Sequence, residues 1–206
     1  MGLGEHNGGG TMNRFIVIEG LDATGKSTLV EKLVVRLSAK KIISPPDINV
    51  PSISGGSIRP HFDSLGPIPR RAYYRFSNLI ASELVAESIM VSDVVMDRYW
   101  TSTAAFAAMD DGFEHDVTLG KYPDEIRSPD ILILLIVDEE NRLKRLQSRG
   151  EIETREESEL TRDVDKRERV LESYKKFNPK IIDTSNKDPK QVCEEALEII
   201  EGWENE

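Results

Sequence analysis

Cysteine is nearly absent. Cys193 stands alone, so no internal disulfide can form, and a reducing intracellular setting is the simplest reading. Its neighbours follow an apolar helical pattern, which marks it as a core residue. Histidine is scarce too: His6, His61 and His115 lack metal-ligand spacing, which argues against a metal site built from protein ligands alone. Basic residues are outnumbered, with 27 Lys and Arg against 37 Asp and Glu, a formal net charge of −10 and a pI near 5.0. A duplex nucleic acid partner needs a basic face, so that class is disfavoured. Small anions stay compatible, because they are held by local arginines and backbone N–H groups. No apolar run is long enough for insertion into a membrane. The opening residues, MGLGEHNGGGTM, have neither the apolar centre of a secretory signal nor the Arg-rich amphipathic pattern of a transit peptide. Met-Gly begins a myristoylation pattern that His6 breaks.

What is present suits one soluble domain. The chain has 206 residues, 38% hydrophobic and 31% charged, enough for a normal core. Residues 1–13 read as a disordered leader or a join to an upstream region, and 14–206 as a single domain. Short apolar runs at Phe15–Ile18, Ile42–Ile43, Val94–Met96, Ile131–Val137 and Ile181–Asp183 read as strands. Helical spacing is expected at Ser27–Lys40, Arg70–Met90, Thr101–Met109, Asp138–Arg149, Leu160–Phe177 and Pro189–Trp203. Ser44–Pro69, with its six prolines, reads as loop. Asp110–Pro129 reads as polar and broken, and Gly150–Glu159 as charged and unlikely to pack. Strands alternating with helices imply an α/β class with a parallel sheet covered on both faces.

The strongest chemical signal is Gly20-Leu-Asp-Ala-Thr-Gly-Lys-Ser-Thr28, which fits the Walker A spacing after an apolar strand and before a helix. Gly20 and Gly25 allow a backbone nest, with Leu21, Asp22, Ala23 and Thr24 between them. Lys26 is expected to reach the outer phosphates of ATP, and Ser27 to ligate Mg²⁺, with Thr28 continuing the helix that points at them. A GTPase is disfavoured: in Asn186-Lys-Asp-Pro189 a proline replaces the guanine-reading aspartate, and Asp63-Ser-Leu-Gly66 lies in a proline-rich loop with no preceding strand.

Three further clusters stand out. Val94–Met96 runs into Asp97-Arg98-Tyr99, with Ser102 following, at a strand carboxyl end where ligands of open α/β sheets sit. Asp97 suits Mg²⁺ or its waters, Arg98 a phosphate fork; an ordinary Asp-Arg pair closing a helix is the alternative. Arg149 and Arg155 lie in a charged insertion, about 149–159, that reads either as a lid closing over the transferred group or as a solvated charge run. Arg70, Arg71, Tyr74, Arg75 and Phe76 either grip a phosphate and stack a base or serve as core aromatics with exposed arginines.

Taken together, Phe15–Asp22 with Gly25-Lys-Ser-Thr28, Asp97-Arg-Tyr99 with Ser102, and the lid resemble the thymidylate kinase-like nucleoside monophosphate kinases. Arg70-Arg-Ala-Tyr-Tyr74, Asp97-Arg-Tyr-Trp-Thr-Ser-Thr103, Arg145-Leu-Gln-Ser-Arg-Gly150 and Thr154-Arg-Glu-Glu157 are similar to the mitochondrial-type UMP-CMP kinase branch in order and spacing. The resemblance implies a P-loop kinase fold: a five-stranded parallel sheet flanked by helices, with a mobile lid. It implies transfer of the ATP γ-phosphate to UMP, CMP or their deoxy forms with Mg²⁺, which Ser27, Asp22 and Asp97 would hold or support. Catalytic roles would fall to Lys26, Asp97, Arg98, Arg149 and Arg155. Acceptor contacts would come from Arg70, Arg71, Tyr74, Arg75, Phe76, Arg98 and Ser102. It also implies a mitochondrial location, with the cytoplasm as the alternative, and a homodimer. Three departures weigh against dTMP or displace its usual contacts. Ser44-Pro-Pro46 stands where thymidylate kinases commonly carry an Arg-Glu-Pro-Gly stretch, Ile80 follows Phe76 where many carry arginine, and Asp22-Ala-Thr24 leaves the P-loop without a catalytic arginine. A thymidylate kinase and a non-catalytic nucleotide-binding switch are the rival readings.

Overall fold

A computed structural model describes residues 12–46, 55–149 and 155–203. Five strands, β1 (Phe15–Glu19), β2 (Lys40–Ile43), β3 (Val94–Asp97), β4 (Ile131–Ile136) and β5 (Lys180–Asp183), form one sheet in the order β2-β3-β1-β4-β5. Every pairing is parallel. The helices are α1 (Lys26–Leu37), α2 (Gly55–Ser64), α3 (Pro67–Ser88), α4 (Trp100–Ala107), α5 (Glu139–Arg149), α6 (Arg155–Arg162), α7 (Val164–Lys175) and α8 (Pro189–Glu201).

Strand alternation divides the core between the two faces. Ile16 and Ile18 point with Val95, Ile133 and Ile182 toward Leu29 and Leu33 of α1 and Ala196 and Ile200 of α8. Phe15 and Val17 point with Val94 and Met96 toward Ala81 and Val85 of α3 and Trp100 and Ala104 of α4. Central β1 is fully buried along its length, as expected for a strand covered on both sides. The chain leaves β1 by α1 for the edge strand β2, and leaves β3 for the other side of the sheet. The carboxyl ends of β1 and β3 therefore border the crevice at which the topology switches, where ligands bind in open α/β sheets. The register pairs Ile18 with Asp97, so both strands end at the same level.

Three expectations need correction. The Ser44–Pro69 loop contains α2 and the start of α3. Pro67 sits in the first turn of α3, where its missing N–H has no intrahelical partner to lose, and Pro60 is carried inside α2. Second, the charged stretch through Glu159 does pack: α6 buries Glu157 and Leu160, three residues apart on one face. Third, the helix read across Leu160–Phe177 is broken at Asp163, whose side chain caps α7 by accepting the Lys166 N–H at 3.0 Å. Residues 150–154 of the expected lid lie outside the described residues, as does most of the expected leader.

Candidate active site

The loop from Gly20 to Lys26 follows β1 with a backbone few residues can adopt. Gly20 has φ +143, and a Cβ there would lie 2.5 Å from the Leu135 carbonyl oxygen, so glycine is required. Ala23 and Gly25 also have positive φ, 66 and 99. Gly25 opens α1 without a side-chain cap, which leaves the first helical N–H groups facing outward for an anion. Lys26 folds back over the loop. Its Nζ donates to the Leu21 carbonyl at 2.7 Å and lies 3.7 Å from Asp22 Oδ1. Burial and the nearby Arg98 pull the Lys26 pKa down, and Asp22, Asp97 and Glu157 partly restore it. Ser27 Oγ donates to Asp97 Oδ2 at 2.8 Å. A hydroxyl beside a carboxylate is an oxygen donor pair that suits Mg²⁺, whereas Asp22, also expected there, pairs with Arg98 at 2.6 Å.

Arg98 is the hub. It adopts φ 65, a left-handed backbone unusual outside glycine, and so turns its side chain from the end of β3 toward the P-loop. Its Nη2 donates to Asp22 Oδ1 at 2.6 Å and to Glu157 Oε1 at 3.1 Å. Its Nη1 donates to Ser102 Oγ at 3.2 Å and the Tyr174 hydroxyl at 3.3 Å. Burial opposes this charge, yet Asp22 foremost, with Tyr174, Glu157 and Glu19, holds the guanidinium protonated. Burial works against the Asp22 carboxylate as well, but Arg98 and Lys26 outweigh it and hold Asp22 below the usual aspartate range. Glu157 is pushed up, first by burial and then by the negative charge of Asp22.

A cleft of about 640 Å³ opens beside this hub. Asp22, Arg98, Ser102, Glu156, Glu157 and Arg155 line one part of it, and Arg71, Tyr74, Thr103, Phe106, Arg59 and Asp63 line the rest. Arg71 is pinned by Asp110, with bonds of 2.8 and 3.0 Å, and by Glu156 of α6. Arg70 is buried with Nε 3.2 Å from Glu156. Arg70 does not line the cleft, and two further expected acceptor residues turn elsewhere. Arg75 pairs with Asp116 and Glu125 at 2.6 and 2.9 Å, and Phe76 is 47% exposed; neither lines the cleft. Phe76, two residues past Tyr74 on α3, is out of phase with the inner face, whereas Arg75 lies one turn after Arg71 and is drawn off by Asp116 and Glu125. Arg155 reaches the cleft and lies 3.4 Å from Glu159. Arg149 ends α5, and its side chain lies outside the described residues.

Comparison with known proteins gives a consistent result. A family model described as thymidylate kinase matches residues 18–196. The chain belongs to the thymidylate kinase family. Human mitochondrial UMP-CMP kinase 2 is 36% identical over 196 residues, 90% of this chain but 42% of the human protein, so the chain spans less than half of that relative. A probable thymidylate kinase of Methanococcus maripaludis is 31% identical over 209 residues, covering 92% of this chain and 96% of the relative. A thymidylate kinase from Candida albicans shares the fold, with a TM-score of 0.70 at 22% identity over 92% of each chain. Such relatives are phosphotransferases, and this member of the thymidylate kinase family is one too.

A second cleft of the family member, about 630 Å³, lies along the other flank of the P-loop and is lined by Gly25, Thr28, Arg145, Thr184, Lys187 and Pro189. Arg145 Nη1 reaches the Ala23 carbonyl at 3.3 Å, and its Nη2 the Thr184 carbonyl at 2.6 Å. The stretch that imitates a guanine-reading motif has a structural role: Asp188 forms a capping box with Gln191, and Pro189 takes the first turn of α8. Sequence reasoning missed Arg59, Asp63, Asp110, Glu156, Glu157 and Glu19 as parts of the site. Glu19 left a clear trace, an acid closing an otherwise apolar strand, and Glu156 and Glu157 lay in the Thr154-Arg-Glu-Glu157 stretch of the resemblance. The others sat in stretches whose composition reads as solvated loop.

Proposed function

We propose that the protein transfers the γ-phosphate of ATP to a pyrimidine nucleoside monophosphate, UMP, CMP or their deoxy forms, giving the diphosphate. The observation that carries this reading is a hub of opposite charges, Lys26, Asp22, Arg98 and Glu157, between two clefts on opposite flanks of one phosphate loop. Two clefts meeting at one phosphate site suit a donor on the Arg145–Thr184 flank and an acceptor on the Arg71–Tyr74 flank.

In this reading the P-loop N–H groups from Gly20 to Thr28 and Lys26 hold the ATP phosphates. Ser27 would ligate Mg²⁺, with Asp97 and Asp22 supporting it; the ion when bound would neutralise phosphate charge. Arg98 and Arg71 hold the acceptor phosphate, with Ser102, Arg70 and Arg59 behind them, and Tyr74 borders the base. Arg155 and Arg149 bring positive charge as the lid closes. An acceptor phosphate is already a nucleophile, so no general base is needed; positioning and electrostatics supply the rate. Related kinases pair through helices, and the outward Phe76 on α3 suits such a homodimer, which sedimentation would read directly.

The test is a coupled ADP-release assay with ATP-Mg²⁺ across CMP, UMP, dCMP, dUMP, dTMP, AMP and GMP, using Lys26→Ala as the blank. Turnover greatest on cytidine and uridine nucleotides is expected. A dTMP preference would make the protein a thymidylate kinase, as several relatives are named. Absence of Lys26-dependent turnover on every acceptor would overturn the enzyme reading in favour of a nucleotide-binding switch.

A further inference from the structure

Glu19 is fully buried, yet it lies at the centre of a polar network. It is the last residue of β1, directly before Gly20, and it reaches across to the turn after β3. Its Oε1 accepts the Tyr99 N–H at 2.9 Å and the Ser102 N–H at 3.1 Å, and its Oε2 accepts the Ser102 hydroxyl at 2.5 Å. The Ser102 oxygen in turn lies 2.8 Å from the Tyr174 hydroxyl and accepts from Arg98 Nη1. One carboxylate thus fastens both backbone N–H groups flanking the start of α4 and the hydroxyl on which one arm of Arg98 rests.

This arrangement answers a difficulty posed by Arg98. A non-glycine residue at φ 65 is held there only where its surroundings over-determine the geometry. The turn carrying it has no side-chain cap of its own: Tyr99 precedes α4 without one. Glu19 takes that place from another strand, accepting the Tyr99 N–H and sharing the Ser102 N–H with the Tyr99 carbonyl, which lies 3.1 Å from it. Burial of a carboxyl is costly, and it is retained here although an apolar residue would pack as the rest of β1 does.

We infer that Glu19 is a positioning residue, which fixes the turn after β3 and, through Ser102 and Tyr174, aims Arg98 at the acceptor phosphate. The inference rests on the kinase reading. Glu19 touches neither nucleotide; it ties the strand that ends in the donor loop to the arginine facing the acceptor. Loss of the carboxylate leaves the P-loop nest and Lys26 in place but lets the guanidinium arm on Ser102 drift.

The experiment compares wild type, Glu19→Gln and Tyr174→Phe, each checked for folding by circular dichroism and for active fraction by ATP binding. Initial rates are measured against ATP and against the best acceptor. The expected result is an acceptor KM raised about tenfold in Glu19→Gln and several-fold in Tyr174→Phe, with the ATP KM within about twofold of wild type. If Glu19→Gln does not fold, Tyr174→Phe decides by the same split. Acceptor and ATP KM values that stay level, or move together, would overturn the inference. A wild-type protein inactive on every acceptor fails earlier and tells against the kinase reading itself.

Discussion

Glu19 also has a signature in stability. Burial raises its pKa from 4.5 to about 7, against the lowering pull of Ser102, Arg98 and the Tyr99 and Ser102 N–H groups. Between those values the folded chain holds a proton that the unfolded chain has released. The stabilising contribution is therefore complete at the acid end and is lost as pH rises through 7. The raised Glu157 adds in the same direction, and the depressed Asp22 acts oppositely, losing stability only as pH falls below the ordinary aspartate range. The difference in Tm between wild type and Glu19→Gln, followed from about pH 5 to pH 8, should move against wild type by roughly 5–10 °C, the equivalent of about 3 kcal/mol. A difference that stays flat would mean the carboxyl titrates normally. At the same scale, Arg155→Ala should lower kcat by about 100-fold or more while leaving ATP affinity nearly unchanged, because a charge that meets the moving phosphoryl group acts in the transition state. Steady-state kinetics with direct ATP titration separate the two.

At the scale of elements, the strands were legible because each is a short apolar run between breakers, and the Walker A spacing fixed where the first meets its helix. The carboxyl-end position of Asp97 and Arg98 followed from that. Two elements were hidden for different reasons. In α2 the prolines around and within the helix spoke for loop, although a helix accepts proline in its first turn and can carry one at a single lost bond. In α6 the run Arg155-Glu-Glu-Ser-Glu-Leu160 looked like solvent-facing charge; only the partners on other elements, Arg98 for Glu157 and Arg71 for Glu156, explain why the acids turn inward. Such pairings are distant in sequence and leave no local periodicity. Because Leu160 packs with Val170, Tyr174 and Phe106, Leu160→Ala should cost about 2–4 kcal/mol in denaturant unfolding. An unchanged midpoint would mean that α6 is detached from the core.

For the whole molecule, the net charge of −10 once argued only against nucleic acid. The fold shows how such a chain is fitted for polyanionic nucleotides. Arg59, Arg71, Arg98 and Arg155 line one cleft, Lys26 stands behind its Asp22 wall, and each has an acid beside it: Asp63, Asp110 or Glu156, Glu157, Glu159 and, for Lys26, Asp22. The acids that make the chain negative elsewhere here keep the arginines oriented at little cost in free charge.

Glu156 and Glu157, adjacent on α6, rest on Arg71 and Arg98 much as the oxygens of a phosphate would. On the proposed reading of Arg71 and Arg98 as acceptor-phosphate residues, the protein carries its own competitor, and taking up an acceptor is an exchange of one anion for another. Dissolved salt screens the newcomer and the resident alike. Acceptor affinity should therefore fall by no more than about threefold between 50 and 300 mM KCl in a calorimetric titration, and Glu156→Gln, which removes the rival from Arg71, should make it both tighter and more sensitive to salt.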